Sequence, residues 1–160
     1  MAMTKSQINS GLIGFKGALY DTWNSAVFVN QSRDDEEWSG LYVGATVEVA
    51  NDNVEPPESG TGTSYILEVS LTRALPVYAF DDRYLAQGNV GQELKAAYVK
   101  QQLGLPADKR LMPELGRLGC CYRGPLNEEG DVEIVIPTVL APHVRMRKVQ
   151  EVTFRRWMRS

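Results

Sequence analysis

Hydrophobic and polar positions alternate with a period of two through much of the second half of the chain. Tyr65, Leu67, Val69 and Leu71 share one side of an extended segment and Glu68 and Ser70 the other, which predicts a half-buried strand over 65–71. A second strand is expected over 77–80, entered through Pro76. Later, Val132, Ile134 and Ile136 point one way and Asp131, Glu133 and Val135 the other, until Pro137 ends the run. Val144, Met146, Val152 and Phe154 can share a face of a last strand over 144–154. The first half is less regular. The apolar run over 11–17 is cut by Gly11, Gly14 and Gly17, which suggests a strand passing close to another backbone or to a ligand. A short strand is expected to close the segment 38–44 after a glycine-containing turn.

Helical spacing is scarce. Residues 20–29 can form a helix around Trp23, Ala26 and Val27, followed by a charged surface loop over 33–37. Thr46 can cap a brief helix in which Val47, Ala50 and Val54 fall three and four apart, and Pro56 and Pro57 stop it. Asn89 with Gln92 has capping-box spacing, and Val90, Leu94, Ala97 and Tyr98 form the expected apolar stripe before Gly104 and Pro106. Residues 107–119 read as irregular, with one turn around Leu111. Strands without regular strand-helix alternation give an α+β class rather than a doubly wound sheet.

The length of 160 residues fits a single domain over 1–160, and the 43% hydrophobic content supports an ordinary packed core. With 17 basic and 20 acidic residues the formal charge is -3, which gives no general electrostatic reason to expect a nucleic-acid partner. No run of 18 apolar residues is present, so no membrane span is expected, and the first ten residues lack the apolar segment of a secretory signal. Cys120 and Cys121 are adjacent, which disfavours a mutual disulfide and fits no zinc spacing; reduced, half-buried thiols are the expectation. His143 is the single histidine, so a multi-histidine metal site is excluded and no metal is expected.

Chemistry concentrates on Glu133. Asp131 stands one pleat away on the same strand face, roughly 7 Å off. Two such acids are either solubilising groups on a solvent-facing strand or a fixed negative charge put to use. Loss of nicotinamide from NAD would use one, because the departing base leaves a ribosyl cation that an oriented carboxylate stabilises.

Four segments, in order, carry a likeness to a known family: Gly14-Phe15-Lys16-Gly17-Ala18, then Trp38-Ser39-Gly40-Leu41-Tyr42 after acidic residues, then Gln102-Leu103-Gly104-Leu105 with Leu111-Met112, then Val132-Glu133. Over roughly residues 11–154 the chain resembles the catalytic domain of the diphtheria toxin and exotoxin A group of mono-ADP-ribosyltransferases. The first segment is similar to that family's Gly-Tyr-His-Gly-Thr, and the second to its Trp-x-Gly-Phe-Tyr. The resemblance implies an ADP-ribosyltransferase fold, two small packed, mainly antiparallel sheets with short helices around a central NAD cleft. It implies NAD as substrate, Glu133 as the catalytic glutamate, and Lys16, Gly17, Tyr42, Trp38 and Asn53 along the cofactor. Asp131 has the spacing of the second carboxylate that arginine-modifying relatives use to orient an acceptor.

Two positions depart from the family pattern. Lys16 stands where the family has histidine, and Asn53 where it has the second tyrosine that encloses nicotinamide. Three readings stay open: a divergent transferase, an NAD glycohydrolase that hands ADP-ribose to water, and an inactive interaction domain. The resemblance further implies a macromolecular acceptor, protein rather than nucleic acid, an inhibitory or immunity protein as partner, a monomer, and a toxin or effector released by a specialised export route to act in a target-cell cytoplasm. For the interaction reading, the basic run of Arg145, Arg147, Lys148, Arg155, Arg156 and Arg159 offers a docking surface or simply a solvated last strand. Residues 55–63, rich in Gly and Pro, can form a lid.

Overall fold

The computed structural model describes residues 3–18, 36–52, 61–126 and 131–154. Among these residues eight strands form one sheet: β1 (Met3–Ile8), β2 (Gly11–Ala18), β3 (Leu41–Gly44), β4 (Gly62–Leu71), β5 (Leu75–Phe80), β6 (Cys121–Pro125), β7 (Val132–Ile136) and β8 (Val144–Phe154). Their order across the sheet is β1-β5-β6-β7-β3-β2-β4-β8. Every pairing is antiparallel except β5 with β6. Among the described residues three helices accompany it, α1 (Val47–Asp52), α2 (Gln92–Leu103) and α3 (Leu111–Arg117), with 3-10 turns at Arg83–Ala86 and Thr138–His143. No helix among the described residues is long and apolar enough to cross a membrane.

The expectation of two sheets is corrected to one continuous sheet with a seam. β2 and β3 share a single residue pair, Phe15 with Gly44, whereas β2 follows β4 from Gly11 to Ala18. Close approach makes that one pair feasible: a Cβ on Gly14 would stand 2.3 Å from the Gly44 carbonyl oxygen. The glycine-cut run at 11–17 therefore does pass against another backbone, as its composition suggests. Beyond Phe15 the strands part, and the gap between them is the groove described below.

The halves of the sheet on either side of this seam share a core. Val69, Leu71 and Val144 from β4 and β8 cluster with Leu41, Val43, Val77, Cys121, Ile134 and Ile136 from β3, β5, β6 and β7. The opposite face of β5–β7 carries α2 and α3 through Phe80, Tyr122 and Val135 against Ala96, Val99, Leu111, Met112 and Leu115. β7 is thus covered on both faces. Val135, expected on the polar side, is fully buried, while Val132 at the strand's mouth is 47% exposed. Glu133 accordingly lies on a covered face rather than a solvated one.

Local signals hold in part. Thr46 caps α1, its hydroxyl accepting from Val49 N at 3.1 Å. Gly104 ends α2 with φ +68, the left-handed geometry that glycine adopts without strain. The start of α2 differs from expectation: its N-cap is Gly91, with no side-chain bond, so Asn89 does not cap. Its buried face is also different, comprising Lys95, Ala96, Val99 and Lys100, while Leu94 is 60% exposed. Residues 107–119, expected to be irregular, contain α3, which buries Leu111, Met112, Leu115 and Gly116. β1 was not foreseen. The expected helix at 20–29 lies outside the described residues, as does most of the loop at 55–63, whose last two positions already belong to β4.

Candidate functional site

Glu133 has a glycine on either side within the sheet. It pairs with Gly44 on β3 and with Gly124 on β6. Neither neighbour offers a side chain to cover or steer the carboxylate, so its position follows from where the β7 backbone runs. Both glycines are also required sterically. A Cβ on Gly44 would come within 2.9 Å of the Val49 side chain on α1, and one on Gly124 within 2.6 Å of the Tyr122 hydroxyl and 2.9 Å of the Phe80 carbonyl.

Where β2 leaves β3 the groove is lined by Phe15, Lys16, Gly17, Tyr42, Gly44, Val49, Ala50 and Glu133. The structure thus brings together four of the residues singled out by sequence: Lys16, Gly17, Tyr42 and Glu133. The space within this half-open groove is about 60 Å³, room for about two waters. The Glu133 carboxyl is held above the ordinary glutamate range, chiefly by burial and then by the charge of Asp131; Lys16 acts in the opposite direction. Half-buried Asp131 therefore acts on Glu133 through its charge.

Tyr42 forms a partition. Its hydroxyl donates to the Trp38 carbonyl oxygen at 2.6 Å, and burial, with the charges of Glu133 and Glu36, raises its pKa so that it stays protonated. Across it lies a second cavity of about 370 Å³, lined by Glu36, Glu37, Trp38, Tyr42, Gln92, Glu93 and Arg110. Trp38, expected beside the cofactor, lines this second cavity and not the Glu133 groove. Its indole is a core group: the N–H donates to the Gln92 carbonyl oxygen at 2.9 Å and the ring stands edge-on to Tyr122 at 5.0 Å. Asn53 lies outside the described residues.

The acidic segment expected to be a surface loop ends in an anchored residue. Glu37 pairs with Lys100 at 2.9 Å, accepts the Leu111 N–H at 2.8 Å, and through its own carbonyl accepts the Met112 N–H at 3.0 Å. It thereby satisfies the open N–H groups at the start of α3, whose N-cap Arg110 makes no side-chain bond. Cys120 and Cys121 are both buried, more fully than expected, and burial pushes the Cys121 thiol up to about 12. His143 is half-buried in a 3-10 turn, with its carbonyl held by Thr72 N. Arg147 pairs with Glu68 and Lys148 with Glu151, so part of the basic run is matched locally; 155–160 lie outside the described residues.

No family model and no curated protein matches the chain.

Sequence reasoning missed Gly44, Gly124 and the second cavity. The glycines are visible in the sequence, but their meaning depends on strand register, which places each directly opposite Glu133.

Proposed function

We propose that this domain cleaves the nicotinamide-ribose bond of NAD and transfers the ADP-ribose to a macromolecular acceptor, as the resembled toxin family does. The observation that carries the reading is the half-buried Glu133 carboxylate facing a groove walled by Lys16 and Tyr42. Ionised Glu133 stabilises the ribosyl cation and accepts a hydrogen bond from a ribose hydroxyl. The Tyr42 ring supplies an electron-rich face for the pyridinium, and Lys16 a positive charge for the anionic part of the dinucleotide. A dinucleotide needs a wider groove than 60 Å³, so this reading requires β2 and β3, joined by one residue pair, to part further at the groove while the core shared across the seam stays packed. The 370 Å³ cavity across Tyr42 gives an acceptor side chain a separate approach.

The room for about two waters beside Glu133 favours a second reading, in which water takes the ADP-ribose. Incubation with NAD while following free nicotinamide separates the two. Release that requires a cell lysate, with label retained on one protein, is the expected result. Release without lysate points to a glycohydrolase, and no release with no NAD binding to an interaction domain.

The acid limb of turnover has a defined sign. Because Glu133 must be ionised and its carboxyl is held above the ordinary 4.5, turnover should fall on the acid side at a pH above 4.5. Asp131→Asn should move that limb to lower pH and Lys16→Met to higher pH, measured as nicotinamide release across a pH series. Movement of both limbs in the same direction would rule out this electrostatic account.

A further inference from the structure

We propose that Gln92 and Lys95, on the first turn of α2, are positioning residues for the Asp131–Glu133 pair, acting by jointly holding the Leu126 carbonyl where the chain leaves β6, opposite the start of the strand that carries the pair. This rests on the reading of Glu133 given above for its consequence in turnover, but not for its structural content. Lys95 is 1% exposed, and its ammonium donates to the Leu126 carbonyl oxygen at 3.2 Å. The Gln92 side-chain amide donates to the same oxygen at 3.1 Å. An ammonium has three protons to place, and a buried one with a single carbonyl partner among the described residues is costly. A methionine would fill the same space without that cost, so Lys95 is a poor choice for stability alone.

Its target explains the choice. Leu126 directly follows β6, and Pro125 pairs with Val132, so the clamped carbonyl lies opposite the start of β7, next to Asp131. Glu133, one step further, faces Gly124 and Gly44 and gets no lateral guidance from either. The clamp also reaches the other wall of the site: the Gln92 carbonyl accepts the Trp38 indole N–H, and the Trp38 carbonyl accepts the Tyr42 hydroxyl. One turn of α2 thus ties the Tyr42 side to the Glu133 side.

The test uses the full chain carrying Lys95→Met or Gln92→Met, the second retaining the buried lysine should the first fail to fold. Amide hydrogen exchange over 131–134 should quicken by about tenfold or more, with Val99 and Leu115 on the helices unchanged. Followed by carbon NMR, the Glu133 carboxyl should titrate closer to the ordinary glutamate value as the loosened hairpin lets water in. Nicotinamide release should lose about tenfold or more in kcat, with KM for NAD within about twofold. Unchanged exchange and titration would overturn the proposal, as would a loosened hairpin with wild-type kcat. If the wild-type chain releases no nicotinamide, the enzymatic reading fails, and exchange with titration still decides whether the clamp positions the carboxylates.

Discussion

Glu133→Gln should cut nicotinamide release by about 10²-fold or more, equivalent to about 2.7 kcal/mol of transition-state stabilisation, and should at the same time raise the melting temperature at neutral pH. The two halves of this expectation have one cause. Burial and Asp131 hold the carboxyl above its ordinary value, so the folded state disfavours the charge that the proposed reaction needs. For a carboxyl raised on folding, the associated stability is full below its unfolded value and is lost as pH rises through the folded value. Glutamine removes that loss, so the mutant's advantage should appear in neutral melts and vanish below pH 4.5, the ordinary glutamate value. Wild-type turnover in the mutant would remove Glu133 from the chemistry. A fall in melting temperature would instead make it a structural acceptor. Loss of activity together with a gain in stability is the signature of a group held in place for function.

How much of this could be read from the chain depends on where the information lies. Strands at 65–71, 77–80 and 132–136 follow from local alternation, because one or both faces must be buried. The Thr46 cap and the Gly104 stop are equally local. β1 escapes such reading because, among the described residues, it is an edge strand paired only with β5 and buries one residue, Ile8, in a polar run. The apolar stripe predicted for α2 is not its buried face because Lys95 and Lys100 occupy buried positions, where burial is made tolerable by partners distant in sequence. α3 was hidden by Pro113 and Gly116. Proline is acceptable there because it falls in the first turn, whose N–H groups are not bonded within the helix. Gly116 is needed because a Cβ would meet Val139 at 2.8 Å and Pro137 at 3.0 Å. The number of sheets rested on the β2–β3 seam, a single pair between segments far apart in sequence, which no periodicity encodes. At the site, the identities of Lys16, Tyr42 and Glu133 were legible, while the glycines flanking Glu133 and the clamp on Leu126 required the register.

Glu37→Ala should cost about 3 kcal/mol of folding stability, the largest effect expected from one substitution in the acidic segment. The cost comes from what is left behind. Lys100, 4% exposed, would keep the Ala107 and Lys109 carbonyls but lose its only carboxylate among the described residues. The Leu111 N–H would lose its acceptor at the start of α3. Arg110, 3.7 Å from Glu37 and half exposed, adds little to the pair. Lys100→Met should be milder than Glu37→Ala, because Glu37 would still accept from Leu111 N and stay near the Arg110 guanidinium. The double mutant should cost less than the two single changes added together, since removing both partners leaves no buried charge unpaired. Denaturant melts of the four proteins supply the cycle, and strict additivity would show that the 2.9 Å contact carries no coupling. The consequence extends to the groove. Glu37 immediately precedes Trp38, whose carbonyl holds the Tyr42 hydroxyl, so release of this anchor should loosen the Tyr42 wall and weaken the proposed NAD binding with the Glu133 carboxylate untouched.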